Sequence, residues 1–175
     1  LMARLWRQRR TPILAAAALL IAALSTAAQR EPVEPPEDLA EPHRAWLEEV
    51  GVLITDEERE AFLDLDRDYQ RDAFIQRFWA ERDPFPDTRL NEFEENWKLR
   101  VELARDQFGG VEGDRAETLL RLGPPRRVDD SPCPRLFTTA NIWEYGRHPG
   151  LNREFYVVFV RGGRSPDGFR IWSPF

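Results

Sequence analysis

The sequence predicts an α+β domain with its helices at the front and a small antiparallel sheet behind. Two observations carry that reading. Apolar residues recur at steps of three and four from Trp46 to Phe108, as they do along helices facing a core. Beyond Gly109 and Gly110 the pattern changes to short strand-like runs separated by turn residues. At 175 residues with 42% hydrophobic residues, the chain is long enough for one modest core.

The N-terminus comes first. Arg4, Arg7, Arg9 and Arg10 precede an apolar run from Ile13 to Leu24, followed by Ser25, Thr26, Ala27 and Ala28. This is the layout of a secretory signal peptide over residues 1–28, with cleavage after Ala27 or Ala28. The competing reading is an uncleaved anchor, because the charge-free stretch from Thr11 to Gln29 approaches the roughly 20 residues that span a bilayer. Membrane contact is expected only in that second case. Gln29 to Pro42 is rich in Pro and Glu, without apolar periodicity, and reads as an extended linker.

A single domain is expected over residues 43–175. Trp46, Leu47 and Val50 suggest a short amphipathic helix that Gly51 ends. Thr55 with Glu58 has the form of a capping box, so a helix should begin near Asp56. Phe62, Leu65, Tyr69, Phe74, Ile75, Phe78 and Trp79 extend its apolar face to about Glu81, and the charged LDRDYQRD stretch bends or divides it. A second stripe, Leu90, Phe93, Trp97, Val101, Ala104 and Phe108, predicts a long helix from about Arg89 to Gln107.

The connector between these stripes is the densest part of the chain. Pro84 disfavours helix at Asp83, Pro86 extends the turn, and Asp87 or Thr88 is placed to cap the next helix. The flanking helices are expected as an αα-hairpin, with Phe78, Trp79, Phe93 and Trp97 meeting at its closed end. Arg82 and Asp83 would then pair with each other or cap helix ends. A functional reading makes Arg82, Asp83 and Asn91 a polar binding cluster beside an aromatic wall.

Asp114 and Glu117 predict a D-x-x-E cap on a short helix, Arg115 to Leu122, stopped by Gly123, Pro124 and Pro125. Three strands are expected, over Asn141 to Tyr145, Glu154 to Val160 and Phe169 to Trp172. RGGRSPDG supplies the last turn, and EFYVVFV should be the most buried strand. Trp143 and Trp172 either stack across this sheet or stand exposed as a partner surface.

Composition narrows the function. The net charge is −6, and removing residues 1–28 takes away four arginines and no carboxylate, leaving 21 basic against 31 acidic residues, a balance of −10. Such a surface repels phosphate backbones, so no nucleic-acid partner is expected. The 2 histidines, His43 and His148, lack metal-ligand spacing, and no cofactor motif is present. Cys133 is the 1 cysteine, which excludes an intrachain disulfide, and only His148 could serve it as a base. The expectation leans away from an enzyme.

ITDEEREAFLDL, FIQRFWAERDPFPDTRLNEFEENWKLRVELARDQF, GVEGDRAETLLRLGPP and IWEYG together resemble the bacterial GWxTD-domain proteins. The resemblance covers about Ala45 to Tyr145. The stretch that gives that family its name is altered here: Gly110, Asp114 and Arg115 remain, while its tryptophan and threonine positions hold other residues. The family has no established biochemical activity, and its members look like exported or envelope proteins. The resemblance therefore implies a periplasmic or secreted protein whose partner is another envelope protein. The chain is also similar in outline to small envelope-assembly lipoproteins, in which a short helix, L-G-x-P and a W-x-Y strand precede a sheet. The alternative kept beside this is an enzyme of unknown class with a polar cleft around Arg82 and Asp83.

Overall fold

Five helices lead into a four-stranded antiparallel sheet in the computed structural model, which describes residues 35–131, 139–148 and 152–173. The expected signal peptide, the first part of the linker and Cys133 lie outside the described residues, as does the side chain of His148. The helices are α1 (Glu41–Glu49), α2 (Asp56–Leu63), α3 (Asp68–Ala80), α4 (Glu92–Phe108) and α5 (Asp114–Leu122). The strands are β1 (Arg127–Ser131), β2 (Ala140–His148), β3 (Arg153–Arg161) and β4 (Phe169–Ile171), joined in the order β1-β2-β3-β4. Among the described residues no helix is long and apolar enough to cross a membrane.

Packed structure starts ahead of His43: Leu39 is buried and α1 already includes Glu41 and Pro42. Proline is favourable there because the first helical N–H groups have no intrahelical acceptor. The charged LDRDYQRD stretch divides the expected long helix into α2 and α3. Arg67 starts α3, its amide donating to Gln70 Oε1 at 3.1 Å. Tyr69 consequently leaves the apolar face and stands 71% exposed.

The front is not a simple two-helix hairpin. α3 and α4 meet at their closed end, through Trp79 and Phe93 with ring centroids 6.4 Å apart. Farther along, α4 packs against α5. α4 begins three residues later than expected, at Glu92. Its cap is Asn91, whose Oδ1 accepts from the Glu94 amide at 3.0 Å, and not Asp87 or Thr88. Leu90 falls before the helix and is exposed. At the other end Gly109 adopts φ 80°, ψ 7°, the left-handed conformation that glycine takes without penalty.

The sheet has one strand more than expected. β1 reads RVDDS and lies at the edge with four of its five residues exposed, so it carries no apolar alternation to reveal it. EFYVVFV is not buried throughout: in β3 only Phe159 and Val160 are buried, and the pleat turns Tyr156 outward. The register pairs Asn141 with Phe159, Trp143 with Val157 and Tyr145 with Phe155, so these side chains share one face. That face meets Ala104 and Phe108 of α4 and Ala116 and Leu119 of α5. A second cluster holds Trp46, Phe62, Phe74, Phe78, Trp79 and Trp97 among the front helices. β4 ends at Ile171, leaving Trp172 half-exposed beyond it.

Candidate functional site

In the connector between α3 and α4, Arg82, Asp83, Thr88 and Asn91 each find a separate structural partner. Arg82 pairs with Glu58 of α2, not with Asp83: Nη2 lies 2.8 Å from both carboxylate oxygens. Its Nη1 donates to the Phe78 carbonyl at 3.1 Å, and its guanidinium carbon sits 3.6 Å above the Phe78 ring. Glu58 is at the same time the third residue of the expected capping box. Its carboxylate accepts from the Thr55 amide at 2.9 Å, and Thr55 Oγ1 accepts from the Glu58 amide at 3.2 Å. Burial pushes the Glu58 carboxyl up. The Thr55 amide and the Arg82 guanidinium outweigh it and hold the group below the ordinary carboxylate range.

Asp83 caps no helix. Its Oδ1 accepts from the Phe85 amide at 2.9 Å, a side-chain turn that sets the backbone entering Pro84 and Phe85. Asn91 works at both ends of its amide: besides capping α4, its Nδ2 donates to the Trp79 carbonyl at 2.7 Å, closing the end of α3. Thr88 Oγ1 lies 3.0 Å from the Phe85 carbonyl and 2.7 Å from the Leu90 carbonyl, donating to one at a time. Behind the connector runs a chain of rings, Phe78 to Trp79 at 5.1 Å and Phe93 to Trp97 at 6.3 Å. Trp97 Nε1 donates to the Glu49 carbonyl at 3.0 Å, tying α4 to the end of α1.

Beside the exposed Asp87 and Arg89, this frame leaves two large apolar side chains outward. Phe85 is 59% exposed and Leu90 54% exposed, one on each side of the threonine that ties their carbonyls.

The other predicted residues also have defined places. Trp143 is buried, 3% exposed, between Phe108 and Phe159, so it presents no partner surface. Its indole N–H donates to Asn141, which in turn donates to Asp130 at 2.8 Å. Asp114 is the first residue of α5 and not its cap, a place held by Gly113. Its carboxylate accepts the outward amide of Ile171 on β4. Gly113 has φ 97°, and an added Cβ would stand 2.5 Å from the Ser165 Cβ.

Gly123 and Pro124 end α5 at a three-way join. Gly123 holds φ 79° and ψ −175°, a conformation open essentially to glycine alone. Arg100 of α4 donates to the Leu120 carbonyl at 2.8 Å, with its guanidinium beside Gly123. Tyr145 of β2 donates its hydroxyl to the Gly123 carbonyl at 3.1 Å. Burial pushes the Tyr145 phenol well above its ordinary value, so it remains a donor. LGPP and IWEYG are thus two halves of one contact.

No protein-family model matches the chain, and searches of curated proteins and of solved structures find no match either.

Two part-buried polar networks escaped the sequence reading. His43 is 5% exposed, with Nε2 2.9 Å from Asp72 Oδ1 of α3. Arg115 of α5 lies between the Phe108 and Phe169 rings, at 4.8 and 4.1 Å, with Nε 2.7 Å from Asp167. Burial raises the Asp167 carboxyl, but Ser165, the Phe169 amide and Arg115 together hold it below its ordinary value. Their partners are 29 and 52 residues away, beyond any local pattern. Among the described residues no group of three His, Cys, Asp or Glu side chains is placed to hold a metal.

Proposed function

We propose that this chain is an exported cell-envelope protein that acts as a protein-interaction module, presenting Phe85 and Leu90 of the α3–α4 connector to another envelope protein. The observation that carries the reading is the division of labour within the connector. Arg82, Asp83, Thr88 and Asn91 are spent on holding the backbone, while its two large apolar side chains face solvent. Large apolar groups held rigidly at a surface bind with little loss of conformational entropy. The basic and apolar N-terminal segment and the resemblance to GWxTD-domain proteins support export as the setting.

Proximity cross-linking in the native envelope, followed by mass spectrometry, tests the reading with wild type and Phe85→Ser/Leu90→Ser. The expected result is a partner recovered with wild type and lost with the double variant, at unchanged melting temperature. Recovery of the same proteins by both would overturn the assigned surface.

A further inference from the structure

The sheet has a second face. The pleat that sends Trp143 and Phe159 toward α4 and α5 sends Ile142, Tyr156 and Val158 to the opposite side. Trp172 joins them: its amide donates to the Val158 carbonyl at 2.8 Å, continuing the β4 ladder by one residue. Its side chain therefore falls on the side of Arg170, away from the buried Phe169. Tyr156 is 58% exposed and Trp172 52% exposed, and neither belongs to a core cluster among the described residues. Trp172 stands opposite Val158, two residues from Tyr156, so the two aromatics are diagonal neighbours about 7–8 Å apart.

Their polar tips are unused. Among the described residues the Tyr156 hydroxyl and the Trp172 indole N–H make no hydrogen bond, and neither ring meets another aromatic ring. The acids of this face are answered: Arg127 lies 2.7 Å from Asp129 and 3.4 Å from Glu144, and Arg126 lies 3.5 Å from Glu154. Arg170, on the same side as Trp172 and two residues before it, has no ion pair or hydrogen bond among the described residues. The apolar patch is small. It covers three strands at about 4.8 Å and two residue steps at about 3.3 Å, on the order of 200 Å² with side chains. A stable protein interface buries roughly 800 Å² per partner, so a second copy of the chain is a poor occupant.

We propose that this face binds a glycan of β-linked pyranose rings that carries a carboxylate. The C–H face of a pyranose is apolar and slightly positive, and it lies against the electron-rich face of an aromatic ring. The hydroxyls at its rim reach the Tyr156 hydroxyl and the Trp172 N–H. A β linkage keeps successive rings in one flat ribbon, which suits two aromatics on an open sheet. The carboxylate pairs with Arg170. Other ligand classes fit less well. A purely apolar ligand makes no use of the two polar tips or of Arg170. A nucleic acid brings a row of phosphates to a chain of net charge −6, with one unpaired guanidinium on this face to receive them among the described residues.

Nuclear magnetic resonance of the nitrogen-15-labelled whole chain, following the Trp172 indole N–H, tests this with two sugars. One is the disaccharide N-acetylglucosaminyl-N-acetylmuramic acid, which carries a carboxylate, and the other is diacetylchitobiose, which lacks it. The expected result is a saturable shift with both at millimolar sugar, with affinity about fivefold higher for the acidic one at low salt. Arg170→Gln should abolish that preference and leave diacetylchitobiose binding within about twofold of wild type. Tyr156→Ala should weaken both about tenfold, the loss of one stacked ring. Tyr69→Ala removes an aromatic that is 71% exposed on α3 and should change neither. No saturable shift in wild type overturns the proposal, as does equal affinity for the two sugars or an equal loss in Tyr69→Ala. A shift of the same signal on raising the protein concentration without sugar would make this face a contact between copies and overturns it too. The site is separate from the connector surface, so Phe85→Ser/Leu90→Ser should bind both sugars like wild type.

Discussion

Gly123 shows how much a single residue can be asked to do. Its backbone lies where a side chain is strained, and an added Cβ would approach Arg100 Nη2 to 3.2 Å. Gly123→Ala should therefore cost about 1–3 kcal/mol in urea denaturation, against about 1 kcal/mol for Gly109→Ala, where the added Cβ meets nothing within 4 Å. Glu58 and Asp167 extend the argument to pH. Both carboxyls are held below their ordinary values of 4.5 and 3.8, so their contribution is complete above that range and is lost as pH falls through the lower folded values. Asp167→Asn should lower stability at neutral pH and flatten the acid limb, read from urea midpoints between about pH 6 and pH 3. At this scale the sequence was half legible. The Thr55–Glu58 box could be read because its partners are three residues apart. Arg82, 24 residues from Glu58, and His43, 29 from Asp72, could not, because chain distance hides a contact that only folding creates.

At the scale of elements, periodicity located α4 and the β2–β3–β4 meander, and failed where local chemistry overrode it. Leu90 continues the stripe in sequence, but Asn91 caps the helix after it and leaves it outside. β1 is invisible because an edge strand exposed on both faces needs no apolar residues. Asp114 acts between elements: its carboxylate occupies the outward amide of β4, joining α5 to a strand of only three residues. Asp114→Ala should raise the hydrogen-exchange rate of the Ile171 amide roughly fivefold or more, the loss of a bond worth about 1 kcal/mol. An unchanged rate would show that β4 is held by its pairing with β3 alone.

Across the whole molecule, α4 and α5 belong to both core clusters. Trp97 and Val101 of α4 face the front helices, while Ala104 and Phe108 face the sheet; on α5, Leu120 and Leu119 divide in the same way. Neither cluster can be lost without disturbing a helix that serves the other. Trp97→Ala, which empties a site 4% exposed, should cost about 3–5 kcal/mol. Because the helices are shared, far-ultraviolet and near-ultraviolet dichroism should still report coincident melts in that variant. Separate transitions would mean that the clusters fold independently. The α+β class was readable from the order of patterns along the chain, whereas this sharing was not, since a stripe says which face of a helix is buried and not how many cores it meets.

The treatment of the sheet's two margins bears on how the protein behaves in company. One margin is occupied by Asp114, and the other, β1, carries Asp129 and Asp130 against the single cation Arg127, which leaves that exposed edge net negative. A second molecule adding its own β1 to that edge would bring like charges together, so crowding favours dispersal over fibril growth.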